Sequence, residues 1–271
     1  MPEIAGSIFL LLFANVFVSV LFAAMLGESD GETSRLRQTA GMFLLTQLGK
    51  YLPGRVWGVV AQVSTLRAAG SPGRVVAVNV ELAVVVLFTT SGVGGALLLA
   101  HNYGVVIGLT ALVAAFAMTA SVVQRAWVLE LLGRGLTRIP LLKKLAVSQD
   151  VRCPVARSGG APVIALAGFW AMYLMGWWVH AGALPGVAEL GTGLVVACLS
   201  LSYVVGLVSM LPAGLGAREA TLLLLAPVSG VPFELMALLA ITSRIALILV
   251  DGVGALIGFV IVRTAEESGD A

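Results

Sequence analysis

The length of its apolar runs most constrains what this chain can fold into. Residues 4–26, 75–100, 103–123, 161–184, 190–211 and 232–262 form stretches of about twenty or more residues, nearly free of charge. A hydrocarbon core of about 30 Å takes about 20 apolar residues per crossing helix, and a soluble core helix needs no run so long. Spanning β-strands would show short alternating segments, whereas these runs are continuous. Composition agrees: 59% of the 271 residues are hydrophobic and 11% charged, with a mean hydropathy of +1.03. That leaves too little polar surface to coat a water-soluble globule. The expected fold is an all-α, polytopic membrane bundle.

The chain reads as one transmembrane domain over 1–271. A first half covers about 1–123, a basic loop 124–160, a second half 161–262 and a polar tail 263–271. The formal charge of +2 is small and spread out, which argues against nucleic acid as a partner. Cys153 lies in a polar loop and Cys198 in an apolar run, so neither a disulfide framework nor a metal cluster is indicated. The N-terminus lacks the basic region of a signal peptide, and its first run is long enough to stay in the membrane. The loop carries Arg125, Arg134, Arg138, Lys143, Lys144, Arg152 and Arg157 against Glu130 and Asp150. An excess of Lys and Arg marks the cytoplasmic side, so the expected location is a cell membrane with 124–160 in the cytoplasm.

Two further segments are interrupted. One runs over 39–66 and contains Gln47-Leu48-Gly49-Lys50-Tyr51-Leu52-Pro53-Gly54-Arg55-Val56-Trp57. The other, 212–229, follows Met210-Leu211 and opens with Pro212-Ala213-Gly214-Leu215-Gly216-Ala217-Arg218-Glu219. In each, Leu-Pro with a nearby Gly ends one apolar run and an Arg opens the next. Proline removes a backbone donor and clashes with the preceding turn, while glycine tolerates the conformations a break requires. Freed backbone groups at membrane depth survive only where protein or a water-filled cavity satisfies them. Paired interruptions in the two halves of a chain point to a transporter-like binding site built on a repeat. A half-helix starting after either break would aim its N–H groups at the gap, a favourable place for an anion. The expected architecture is about six full spans with two broken or re-entrant segments, related as an inverted repeat.

Charges within the runs extend this expectation. Arg244 and Asp251 lie seven apart on one helical face, and a charged group at the bilayer centre costs about 2.5–3.5 kcal/mol on insertion scales. Lys50, Arg55, Arg218 and Arg244 are expected to face one cavity and neutralise a lipid phosphate. Glu81, Glu219 and Asp251 would orient those cations or carry a proton. Trp57, Trp127, Trp170, Trp177 and Trp178 read mostly as interfacial anchors, with Trp57 also placed to stack on a headgroup. His180 reads as a satisfied interfacial histidine. Gly104–Gly108, Gly182–Gly186 and Gly254–Gly258 have the spacing of close helix packing, and Ser200, Ser202 and Ser209 are placed to bond carbonyls of their own helix.

The two interrupted stretches resemble the paired signatures of the lysylphosphatidylglycerol synthase transmembrane (flippase-like) family. Residues 47–57 look like the first signature, and 211–219 resemble the second, which is usually richer in glycine where Ala213 stands. Arg244 and Asp251 match the polar positions of that family's last helices less specifically. The resemblance implies handling of an anionic or polyprenyl-phosphate-linked lipid, with membrane lipids as partners and in some cases a neighbouring glycosyltransferase. It places Lys50, Pro53, Gly54, Arg55, Trp57, Pro212, Gly214, Gly216, Arg218, Glu219, Arg244 and Asp251 at the lipid site. Full members carry an aminoacyl-transferase domain after the membrane part and often a further hydrophobic segment before the equivalent of 4–26. This sequence ends at Ala271 without that domain, so the synthase activity is not carried over.

No cofactor is expected. His-rich metal spacing, a Walker loop and a nucleophile elbow are all missing from the sequence, and Gly252-Val253-Gly254 sits inside an apolar helix rather than after a strand. Two other readings stay open. A non-transporting subunit that docks a glycosyltransferase or another envelope enzyme would depend on 124–160 more than on Arg218 or Arg244. An intramembrane lipid-modifying enzyme would need Glu219 or Asp251 as a general base.

Overall fold

The computed structural model describes residues 2–26, 33–52, 56–66, 72–124 and 160–267. Among the described residues there are helices and turns and no strand. The first half contains α1 (Pro2–Met25), α2 (Thr33–Thr46), a 3-10 turn (Gln47–Tyr51), α3 (Trp57–Thr65), α4 (Pro72–Tyr103) and α5 (Val105–Gln124). The second contains α6 (Gly160–Gly182), the short α7 (Val187–Leu190), α8 (Thr192–Val208), a second 3-10 turn (Pro212–Gly214), α9 (Ala217–Ser229) and α10 (Phe233–Glu267).

Four of these helices, α1, α4, α6 and α10, are long and apolar enough to cross a membrane. The polytopic helical bundle is therefore observed, with four spans of full length counted among the described residues where the sequence suggests about six. The apolar helices α5, with 20 residues, and α8, with 17, stand beside these four. Glycines explain where the runs divide. The expected link at His101-Asn102 is helical, and the break comes at Gly104, whose φ of 98° suits a residue without a Cβ. The 190–211 run is cut at Gly191, with φ of 91°.

The broken segments form helical hairpins. Gly49 lies against the backbone of Gly58, and Gln62 Nε2 donates to Thr46 Oγ1 at 2.8 Å, so α3 folds back along α2. In the second half Gly206 lies against the stem of Arg218, and α9 returns along α8. With 14 residues, α2 rises about 21 Å, and α3 with 9 rises about 14 Å, both short of a full crossing.

The packing scheme repeats. Exchanging α1 with α6, α2 with α8, α3 with α9 and α4 with α10 carries one set of packed pairs onto another. The pair α1–α2 becomes α6–α8, α2–α10 becomes α8–α4, and α3–α4 becomes α9–α10, while α1–α6 maps onto itself. The register repeats as well. Gly41 stands twelve residues before Pro53, and Ser200 stands twelve before Pro212. Each marks the close crossing of its half: Gly41 meets Gly258 of α10, and Ser200 meets Gly94 of α4. The exchange is incomplete in two places: α5, packed on α4, has no counterpart, and the packing of α1 on α10 is not matched between α6 and α4 among the described residues.

Chain direction makes the repeat inverted. Ser7 meets His180, Leu11 meets Gly176 and Phe17 meets Gly168, so α1 and α6 run antiparallel. The short connection from α1 to α2 opens the first hairpin on the side where α1 ends, and the second hairpin opens where α6 and α7 end. The hairpins therefore enter from opposite sides, and their 3-10 tips touch.

The buried apolar residues form two clusters, each drawn mainly from one half but joined by residues of the other, Ala165 in the first and Leu11, Ala14 and Val93 in the second. Phe22, Met25, Phe43, Val63 and Val78 fill the first, and Trp177, Leu199, Leu222, Met236 and Leu239 fill the second. The outer surface of α10 exposes Ile241, Ile245, Ile248, Leu256 and Phe259, a face suited to lipid rather than water. Trp170 and Trp177 are buried in the core rather than serving as anchors, while Trp57 and Trp178 are exposed; Trp127 lies outside the described residues. His180 is buried rather than interfacial, but it is satisfied: Nδ1 is 3.2 Å from Ser7 Oγ and Nε2 is 3.1 Å from Thr242 Oγ1. Ser200, Ser202 and Ser209 donate to the carbonyls of Val196, Leu199 and Gly206 as expected. Of the glycine pairs, Gly108 and Gly258 make close backbone approaches, whereas Gly182 and Gly186 face open space.

Candidate functional site between the hairpin tips

The two tips, together with α8 and α10, line a partly open cavity of about 50 Å³. About 10–15 Å³ of such space suffices for a water, so it admits a few waters or one small charged group, not a whole lipid. Its charged lining is Lys50, Arg218, Arg244 and Asp251, joined by Tyr51 and Tyr203. Among the described residues, Gly206, Leu207, Ala213 and Leu247 add to the wall.

Each tip presents its groups for a local reason. The first 3-10 turn carries Lys50 and Tyr51 toward α10 because Gly49 lets it sit against Gly58, where a Cβ would collide with backbone. The second tip is more contorted. Met210 and Ala213 take φ of 58° and 48°, and Gly214 and Gly216 take 69° and 82°. Left-handed backbone costs an ordinary L-residue roughly 1–2 kcal/mol, so the tip holds a strained shape at Met210 and Ala213. Glu219 Oε2 accepts from the Gly216 N–H at 2.8 Å and caps the start of α9.

Two ionic arrangements tie the tips to α10. Asp251, only 3% exposed, accepts from Lys50 Nζ at 2.8 Å and from the Tyr51 hydroxyl at 2.6 Å. Arg244 Nη1 donates to the Ala213 carbonyl at 3.0 Å and lies 3.6 Å from Glu219 Oε1. One helix thus grips both hairpins, the first through Asp251 and the second through Arg244.

Arg218 differs from these. It is 9% exposed, and among the described residues no carboxylate pairs with it. Its stem passes over Gly206 and Gly214, where a Cβ on Gly214 would stand 3.1 Å from Arg218 Cδ. Its guanidinium carbon lies 5.1 Å from the centroid of the Tyr203 ring, a cation–π contact that offsets part of the desolvation of the charge.

Of the sequence candidates, Lys50, Arg218, Arg244 and Asp251 line the cavity. Pro212, Gly214, Gly216 and Glu219 build the second tip around it. Pro53, Gly54 and Arg55 lie outside the described residues, as does most of the 124–160 loop. Trp57 begins α3, is exposed, and is not among the lining residues. Among the described residues, Glu81 orients none of the cations. It is buried on α4 beside Val78 and Leu82, and neither carboxylate oxygen has a hydrogen-bond partner. Sequence reasoning missed Tyr51, Tyr203, Gly206 and Leu247. Tyr51 stood beside Lys50, and Leu247 lies one turn beyond Arg244 on the same face. Tyr203 and Gly206 carry no distinctive signal in an apolar run. Comparison with known protein families, with curated proteins and with solved structures found no match to this chain.

Proposed function

We propose that this protein binds an anionic or polyprenyl-phosphate-linked lipid at the meeting point of the two hairpins and moves its headgroup across the membrane. The observation that carries the reading is Arg218. A guanidinium held nearly out of solvent, without a carboxylate among the described residues, leaves charge for a ligand to compensate. Lys50 and Arg244 share its cavity, and a planar guanidinium matches the oxygens of a phosphate. Leu52 and Leu215, close in sequence to lining residues, are exposed apolar groups on the tips, suited to tails that stay in lipid. The resemblance of 47–57 and 211–219 to the flippase-like family points the same way.

Transport by this scheme uses the inverted repeat. Hairpins entering from opposite sides give the site two symmetry-related exits, and rocking one half against the other exposes it to each in turn. The proposed setting is a cell membrane with the 124–160 loop in the cytoplasm. The test is reconstitution into liposomes carrying headgroup-labelled phosphatidylglycerol or polyprenyl phosphate, with a membrane-impermeant quencher reporting the leaflet. Wild type is expected to move label between leaflets, and Arg218→Gln to slow this at least tenfold with folding intact. Equal rates in protein-free liposomes would refute translocation, and equal rates in the variant would remove Arg218 from the site.

A further inference from the structure

We propose that Asp251 is an exchange carboxylate: it occupies Lys50 while the site is free, gives Lys50 up to an arriving headgroup anion, and takes a proton in return. The inference rests on the anion-binding reading above and adds its coupling. The tip holding Lys50 and Tyr51 is joined to α10 by one carboxylate whose two oxygens are both used. Asp251 thus stands in the relation to Lys50 that a phosphate oxygen would take.

The space available makes the two anions competitors. About 50 Å³ admits one small charged group, and a phosphate held by Arg218 in that volume comes within reach of the Lys50 ammonium. That ammonium is a compact charge on a flexible stem. Losing it leaves Asp251 with the Tyr51 hydroxyl at 3% exposure. With Arg218 engaged by the same phosphate and Arg244 held by the Ala213 carbonyl and Glu219, the buried carboxylate loses its direct cation and bears a desolvation cost of several kcal/mol, which it avoids by becoming neutral.

The balance closes without any other reactant. One negative charge enters with the headgroup, shared between Arg218 and Lys50, and one proton enters onto Asp251, so Arg218 gains an anionic partner while the summed charge of lining and ligand is unchanged. No covalent bond in the ligand forms or breaks. Among the described residues, the other charged or titratable groups around Asp251 are Arg244 on its own helix, Arg218 and Glu219 from α9, and Tyr203 from α8. The helices α1 and α2 bring Asn15, Leu44 and Gly41 to the following turns of α10, and none of these titrates. Glu219 stays with the Gly216 N–H and Arg244, so the exchange falls to Asp251.

The experiment is calorimetric titration of the purified full chain with dihexanoyl phosphatidylglycerol, in two buffers of different protonation enthalpy. Dimethyl phosphate, the same phosphodiester without tails, is titrated in parallel. Wild type is expected to take up close to one proton per bound lipid near neutral pH, with affinity falling about tenfold for each unit rise in pH. Asp251→Asn is expected to bind without proton uptake and with affinity independent of pH. Binding by wild type with no proton uptake overturns the exchange, and so does uptake that persists in Asp251→Asn. Should the variant not fold, the wild-type proton count and pH slope decide alone. Dimethyl phosphate binding as tightly as the lipid, with the same uptake, would leave the exchange standing and refute the lipid reading. No binding of either compound overturns both.

Discussion

At the scale of the residue, the site is a contest between burial and charge. Asp251 is nearly inaccessible yet doubly hydrogen-bonded, so its cost is met inside the protein. Arg218 has an aromatic face and no described carboxylate, so its cost is met in part. Tyr203→Leu keeps the bulk and removes the π-face, which at a desolvated site contributes about 0.5–2 kcal/mol. Headgroup affinity is expected to change several-fold, as measured by calorimetry, with thermal stability lowered at the same time. Ala213 offers a second test, because its φ of 48° is left-handed. Glycine there relieves strain but adds unfolded-state entropy, so Ala213→Gly is expected to stay within about 1 kcal/mol of wild type. Ala213→Val, branched at Cβ in the same conformation, is expected to lower the melting temperature clearly. Equal melting temperatures for the two variants would show that this turn is not held left-handed.

At the scale of the element, small residues decide where helices meet. The crossing of α2 and α10 is so close that a Cβ on Gly258 would stand 2.8 Å from the Leu45 amide nitrogen, and one on Gly41 2.8 Å from Ile261 Cγ2. Backbone cannot yield to such a group as a flexible side chain can, and close helix approach in membranes relies on small residues. Gly258→Leu is therefore expected to push α10 off α2 and part Asp251 from Lys50. Loss of headgroup binding together with a lower melting temperature checks this. Gly182→Ala faces open space and is expected to change neither. The sequence marked both positions alike, since the spacing of glycines records where a helix is thin and not which neighbour lies against it.

At the scale of the whole molecule, the inverted repeat makes a claim about sidedness. The open ends of the two hairpins should lie on opposite faces of the membrane. With Cys153 and Cys198 replaced, Ser64→Cys near the end of α3 and Val228→Cys near the end of α9 are expected to react with an impermeant thiol reagent from opposite sides. Labelling of both from the same side would sink the inversion and, with it, a rocking mechanism. The two halves are not equivalent in charge. Aligned on the crossings at Gly94 and Gly258, the positions of Arg244 and Asp251 in α10 fall on Val80 and Leu87 in α4. Among the described residues, the charged grip of a long helix on both tips thus belongs to α10 and not to α4.

Much of this was readable before any coordinates. Apolar runs of twenty residues dictate membrane helices because no other arrangement satisfies their backbone in lipid. Proline and glycine in two matching places dictate interruptions, because chain geometry there is local. Residues 47–57 and 211–219 could therefore be marked as breaks, and Arg244 and Asp251 as one face, from spacing alone. What spacing could not supply was the third dimension. That Lys50 pairs with Asp251, that Arg218 rests on Tyr203 while Glu219 turns back to Gly216, and that Glu81 lies apart on α4 depend on contacts across the chain. Those contacts are set by the antiparallel packing of one half against the other. Local sequence determined which segments lie in lipid and where they break; only the tertiary fold decided which charges share a cavity, because partners far apart along the chain are chosen by shape and burial.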